Sequence, residues 1–225
     1  MWGRYREMGT DFGRLFGLTD GVFAIVLTIL TLNINVPQLS AKATDADVLS
    51  KLTVDGHALL GYVVSYFVVG IYWAVHHHMF RMIVRYDRRL LWRNLVFLFL
   101  LTLLPFTTSL STGNSSAKLP WALYCANVVL LGTSLYFMWH YVCRYGHLAK
   151  NVSLQRQRSF HIRTSLAPVV FMLSMVVTVF DVHIARLLPL TLLLLGRVGQ
   201  DIEDTGKPPE EGPEGRSLKK GEPVN

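Results

Sequence analysis

The chain has 225 residues, 51% of them apolar and only 16% charged, against about 25% charged in ordinary soluble domains. Its formal charge of +7 sits in short basic segments between long apolar runs rather than on one continuous face, which speaks against nucleic acid as a partner. Water would leave such runs exposed, so lipid is the solvent this composition calls for and the expected fold class is all-α, an integral membrane protein with six transmembrane helices.

The first apolar span runs from about Leu15 to Val36 and ends at Pro37. Arg4, Arg6 and Arg14 precede it in the manner of a signal peptide. The span is too long for that, lacks a small-residue cleavage site and carries Asp20 inside it, so we expect it to stay in the mature protein. A second span covers His57 to Met79, a third Leu90 to Leu110 and a fourth Pro120 to Val142, each near the roughly 20 residues that a bilayer requires. The region from Thr164 to Arg197 is apolar but interrupted by Asp181, His183 and Arg186, with Pro189 beyond. It reads as a tight hairpin of a fifth and a short sixth helix. Residues 1–13 are expected to be a cytoplasmic segment, 14–199 the membrane domain, and 200–225, rich in Gly, Pro, Glu and Lys, a disordered cytoplasmic tail.

Loop charges give the topology. The connection from Arg81 to Arg93 holds five arginines, and that from Arg144 to Arg163 holds Arg144, Lys150, Arg156, Arg158 and Arg163. The loops after Pro37 and before Pro120 are poor in Lys and Arg. Alternation of this kind puts the rich loops and both termini in the cytoplasm of a multi-pass protein of the cell membrane. Cys125 and Cys143 lie about 27 Å apart along one helix, too far to bridge.

Ionisable groups within spans mark either a pathway or a buried network. Arg14, Thr19 and Asp20 lie in the first helix, Trp73 and His76 to His78 near the end of the second, and Asn94 at the start of the third. Topology brings the acid, the histidines and the asparagine to a similar depth, where they can form one hydrogen-bonded knot. Consecutive histidines diverge by about 100° and cannot converge on one zinc ion, so no metal site is expected. No Ser-His-Asp spacing, glycine-rich phosphate loop or HExxH string is present, which argues against an enzyme. On the helical wheel Leu18, Gly21, Ile25, Ile29 and Leu32 share one face with Thr28 at its edge, while Asp20 points about 140° from Ile25. If that apolar face meets water, Asp20 anchors the helix instead of touching ions; ordinary helix packing is the bland alternative.

The string RLFGLTDGVFAIVLTILTLNI, from Arg14 to Ile34, resembles the first-helix signature of the transmembrane protein 175 family of potassium channels. Arg14, Asp20, Ile25 and Thr28 match it in place, while Leu18 replaces a Phe and Thr19 a Ser. YWAVHHHMF and RNLVFLFLLTLLPFTTSL are similar to the family's second and third helices. The resemblance implies a potassium-permeable leak channel, with no cofactor beyond permeant potassium and other monovalent cations, and without a TVGYG filter. It also implies a homotetramer in the lipid bilayer, with four first helices lining the pore. Ile25 would then form the hydrophobic constriction, with Ile29 and Leu32 as further apolar layers and Thr28 as the pore-lining polar group. Arg14, Thr19, Asp20, Trp73, His77 and Asn94 would pack as the structural network. The alternative is a proton-coupled secondary transporter that uses Asp20 and the His76 to His78 cluster as a relay.

Overall fold

The computed structural model describes residues 2–34, 43–54, 56–85, 87–149 and 152–192, with the backbone alone for 2–12, 52–54 and 57. The described residues are helical: α1 (Trp2–Leu32), α2 (Asp45–Val54), α3 (Gly56–Arg81), α4 (Arg88–Thr102), α5 (Leu104–Gly113), α6 (Lys118–Arg144), α7 (Leu154–Val177) and α8 (Val182–Leu187), followed by a 3-10 turn at Leu188–Leu190. Five stretches are long and apolar enough to cross a bilayer: Gly13–Leu32, Ala58–Arg81, Arg88–Gly113, Lys118–Arg144 and Leu154–Val177. Four coincide with the first four expected spans. The fifth begins ten residues earlier than Thr164, because the Ser153 hydroxyl caps the helix by accepting from the Arg156 amide at 3.2 Å and carries its arginines into the first turns. Beyond it, Asp181 caps α8, and the described chain ends at Leu192. The remainder of the expected sixth helix and the 200–225 tail lie outside the described residues.

The third span is one length of sequence but two helices. Pro105 has no amide hydrogen and its ring excludes the carbonyl four residues back, so the ladder breaks at Leu103 between α4 and α5. Groups freed in this way must be satisfied inside the protein, since hydrocarbon offers no partners. Asn127 of α6 does so. With the amide oriented as its neighbours require, the nitrogen donates to the Leu100 carbonyl at 3.1 Å, and the oxygen accepts from the Leu104 amide at 3.3 Å and the Thr107 hydroxyl at 3.2 Å. Leu100 and Leu104 are the pair that an unbroken helix would have joined directly, so one side-chain amide is inserted into the missing bond.

Helix α6 is the spine of the bundle, packed most extensively on α7 and then on α4 and α5, while α1 lies against α3 and α4. Its buried stripe of Val128, Leu131, Leu135, Met138 and Val142 keeps the spacing of one helical face. Gly132 permits the closest approach. A Cβ there would stand 2.3 Å from Pro168 Cγ and 2.6 Å from the Tyr72 hydroxyl, and that hydroxyl donates to the Val128 carbonyl at 3.1 Å. Three helices therefore meet at one missing side chain.

At the arginine-rich end the two links are tied together. An isolated antiparallel bridge pairs Ile83 with Leu148, the Val84 amide donates to the His147 carbonyl at 2.9 Å, and the Ala149 amide donates to Met82 at 3.0 Å. Asp87 caps α4 by accepting from the Leu90 amide at 2.8 Å and also accepts from the Tyr141 hydroxyl. His147 Nε2 lies 4.0 Å from the same carboxylate.

Candidate functional site

Helix α1 divides along its length into two unlike faces. Leu15, Thr19, Phe23, Val26 and Leu30 are buried, the last three to 1% exposure. Leu18, Gly21, Ile25, Thr28, Ile29 and Leu32 are exposed, with Ile25 at 58% and Leu32 at 81%. The apolar face drawn from the helical wheel is thus the one that the rest of the chain leaves uncovered. Thr28 donates its hydroxyl hydrogen to the Ile25 carbonyl at 2.8 Å. With its proton held by the helix, the Thr28 oxygen presents acceptor lone pairs, the polarity that suits a cation.

Opposite that face, polar groups join α1 to its neighbours in two separate sets. The first is buried. Asn94 Nδ2 donates to the Thr19 hydroxyl at 3.0 Å, which donates in turn to the Leu15 carbonyl at 3.0 Å. Asn94 Oδ1 lies 2.8 Å from His76 Nε2. Since a carbonyl oxygen only accepts, this bond assigns the hydrogen to Nε2 and fixes the tautomer. The His76 ring is stacked between Phe80, at 4.3 Å, and Phe97, at 5.1 Å. The second set lies nearer the surface, where the Trp73 indole donates to Asp20 at 2.9 Å. Among the described residues no hydrogen bond joins the two sets.

His77 contacts rings instead, with Phe16 at 5.1 Å and Trp73 at 5.3 Å, and its buried Nδ1 has no hydrogen-bond partner among the described residues. Arg14 is exposed, six residues before Asp20. Among the described residues it is not bonded to the other five. Of the six residues expected in one network, the structure therefore joins Thr19 with Asn94 and Asp20 with Trp73, seats His77 against Trp73, and leaves Arg14 apart. The histidine bonded to Asn94 is His76, whereas the network drawn from the sequence named His77 as its histidine. The signal lay in the helical period, because Val69, Tyr72, His76 and Met79 form the buried stripe of α3 while His77 follows Trp73 round to the other side. Asn127 was missed altogether. An asparagine within an apolar span that faces a proline-broken helix was the available clue.

No three His, Cys, Asp or Glu side chains among the described residues converge in a way that could hold a metal ion. Outside the spans, burial works to raise the Asp87 pKa. Hydrogen bonds from Tyr141 and the Leu90 amide, with the nearby His147 and Arg89, outweigh it and leave Asp87 below the usual carboxylate value. Asp181 is held low by the Ile184 and His183 amides that it caps.

A family profile described as "Endosomal/lysosomal potassium channel TMEM175" matches residues 14–105, which hold α1 from Arg14 on together with α2, α3 and α4. Among curated proteins, the chain is 36% identical over 118 residues to "Potassium channel HX13_20290" of Chryseobacterium sp. (strain P1-3), covering 52% of this chain and 58% of that one. It is 30% identical over 142 residues to "Potassium channel B446_29190" of Streptomyces collinus, covering 61% and 68%. The rat protein "Endosomal/lysosomal proton channel TMEM175" is 24% identical over 205 residues, which are 88% of this chain and 40% of that one. The fold matches the crystal structure of a TMEM175 homolog from Chamaesiphon minutus, titled a lysosomal potassium-selective channel, with a TM-score of 0.72 and 21% identity over 84% of this chain and 97% of that one.

Proposed function

This chain belongs to the TMEM175 family of potassium channels, and from that membership we propose that it is a potassium-permeable leak channel. In this reading it conducts monovalent cations along the uncovered face of α1, without a TVGYG filter. The observation that supports the reading most directly is the asymmetry of α1. One face is apolar and uncovered along its length, and the opposite face is fastened to α3 and α4 by polar bonds. An uncovered apolar face would suit lipid equally well; what assigns this one to the path is that it also carries Ile25 and Thr28, which match the family's first-helix signature. Here Ile25 forms the constriction, Ile29 and Leu32 add apolar layers, and Thr28 offers an acceptor oxygen beside the narrowest ring. Thr19, Asp20, Trp73, His76 and Asn94 act as structural support, together with His77 and Arg14.

One first helix cannot enclose a path by itself, so the channel is a homotetramer with four α1 faces turned inward. It resides in the cell membrane, with the arginine-rich end and both termini in the cytoplasm. Native mass measurement in mild detergent is expected to give four chains; a monomer that conducts would overturn the arrangement.

The defining experiment is potassium flux from liposomes that contain purified protein. Downhill potassium efflux with charge balanced by a proton carrier, and with no counter-substrate, is the expected result. A second reading, proton movement, draws on the name of the vertebrate relatives, and a pH dye inside the same liposomes reads it directly. A coupled transporter is disfavoured because the bonds of Asp20 and His76 do not form one relay. Potassium movement only in strict exchange for protons would restore it.

A further inference from the structure

We propose that the exposed stripe of α4 at the arginine-rich end binds an anionic phospholipid, with its phosphate on Arg88 and Arg89 and an acyl chain along Val96 and Phe99. The stripe follows one side of the helix. At 100° per residue, Arg88, Arg89, Trp92, Val96 and Phe99 fall within about 100° of one another, and all five are exposed, Trp92 at 58% and Phe99 at 61%. Leu90, Asn94, Phe97, Leu98 and Leu101 occupy the buried side. From Arg89 to Phe99 the stripe rises about 15 Å, half the hydrocarbon thickness of a bilayer. It thus presents charge, then an interfacial indole, then apolar surface over the length of one leaflet.

Charge complementarity decides the occupant. Between Asp55 and Asp181 the sequence holds a single acidic residue, Asp87, and its carboxylate already serves the Leu90 amide, Tyr141 and His147. Arg93 is exposed too, but its guanidinium is engaged 4.5 Å over the Tyr141 ring. Arg81, Arg85 and Arg144 are exposed at the same end. No ion pair joins Arg88 or Arg89 to an acid among the described residues; Arg89 acts on Asp87 only at longer range, and both side chains are exposed. A planar guanidinium matches a phosphate with two parallel hydrogen bonds. A zwitterionic headgroup offers the same phosphate but cancels its charge, which makes the net-negative lipid the preferred ligand. The inference rests on the membrane location and is independent of what the channel conducts.

The test is native mass spectrometry of the full chain, titrated with phosphatidylglycerol or phosphatidylcholine of matched acyl chains. Wild type is expected to hold phosphatidylglycerol more tightly by tenfold or more at low salt, at roughly fivefold per arginine. R88Q/R89Q is expected to lose most of that preference at unchanged helix content. In brominated phosphatidylglycerol vesicles, the fluorescence quenching of wild type is expected to exceed that of W92F by the share of Trp92. Equal retention of the two lipids by wild type overturns the proposal, and needs no variant to fold. Displacement of the lipid by millimolar inorganic phosphate would make this a free-anion site. Loss of oligomer mass in R88Q/R89Q, with lipid retention intact, would make it a subunit contact; either result overturns the assignment.

Discussion

Asn94 offers an acceptor to His76 and a donor to Thr19 in a fully buried place, so removing it strands two partners at once. Asn94→Ala is expected to cost about 1–3 kcal/mol, read as a lowered melting temperature in detergent. Trp73→Phe deletes one bond at a half-exposed site, and bonds between membrane helices average only about 0.6 kcal/mol. Its expected effect is therefore the smaller one, and the reverse order would sink this account of the two sets. Asp87 carries a pH dependence of known sign. A carboxyl held below its usual value adds stability that is present above the unfolded-state pKa and is lost as pH falls through the folded one. The Asp87 share, read as the difference in melting temperature between wild type and Asp87→Asn, is expected to be constant above about pH 5 and to vanish as pH falls below about 4. Asp47 and Asp181, held low by amide or hydroxyl bonds of their own, keep the remainder.

At the scale of single helices, the inserted Asn127 side chain is the joint on which the third span depends. Asn127→Leu keeps the branching of the side chain and removes its three bonds, leaving the Leu100 carbonyl and the Leu104 amide unsatisfied in hydrocarbon. Its expected cost of about 2–4 kcal/mol exceeds that of Asn94→Ala, and a thermal melt ranks the two. The joint also marks where the sequence stopped being legible. Long apolar windows announce spans whatever their inner geometry, and the first four stand where hydropathy put them. Pro105 was visible, but the break it makes at Leu103 and the partner that heals it involve a contact 20 or more residues away. Arg156, Arg158 and Arg163 read as loop because charge counting cannot tell a loop from a helix that has left the hydrocarbon. Adjacent histidines look equivalent in a string; only the phase of the buried stripe separates His76 from His77. The two faces of α1 were legible for the same reason, since an apolar period and an off-phase acid both survive without knowledge of the neighbours.

For the whole molecule, the proposed lining of the path by the uncovered face of α1 separates substitutions expected to act on conduction from those expected to act on folding. Ile25→Asn is expected to raise cation flux several-fold and to weaken discrimination between potassium and sodium, since a polar ring lowers the dewetting barrier of an apolar one. The same change at Ile29 or Leu32 acts less strongly. Leu130→Asn, on the exposed side of α6, is the control expected to leave flux unchanged, whereas Val26 is buried and tests folding alone. Unaltered flux in a well-assembled Ile25→Asn protein would remove this face from the path. The gap at Leu103 reaches further, into how the chain enters its membrane. Until α6 is beside it, the third span is a hydrophobic segment with an open carbonyl and an open amide near its middle, a poor guest for lipid when alone. Ribosomes deliver it first, so it is expected to integrate together with the helix that follows, the two spans and their short connecting turn acting as one unit of insertion.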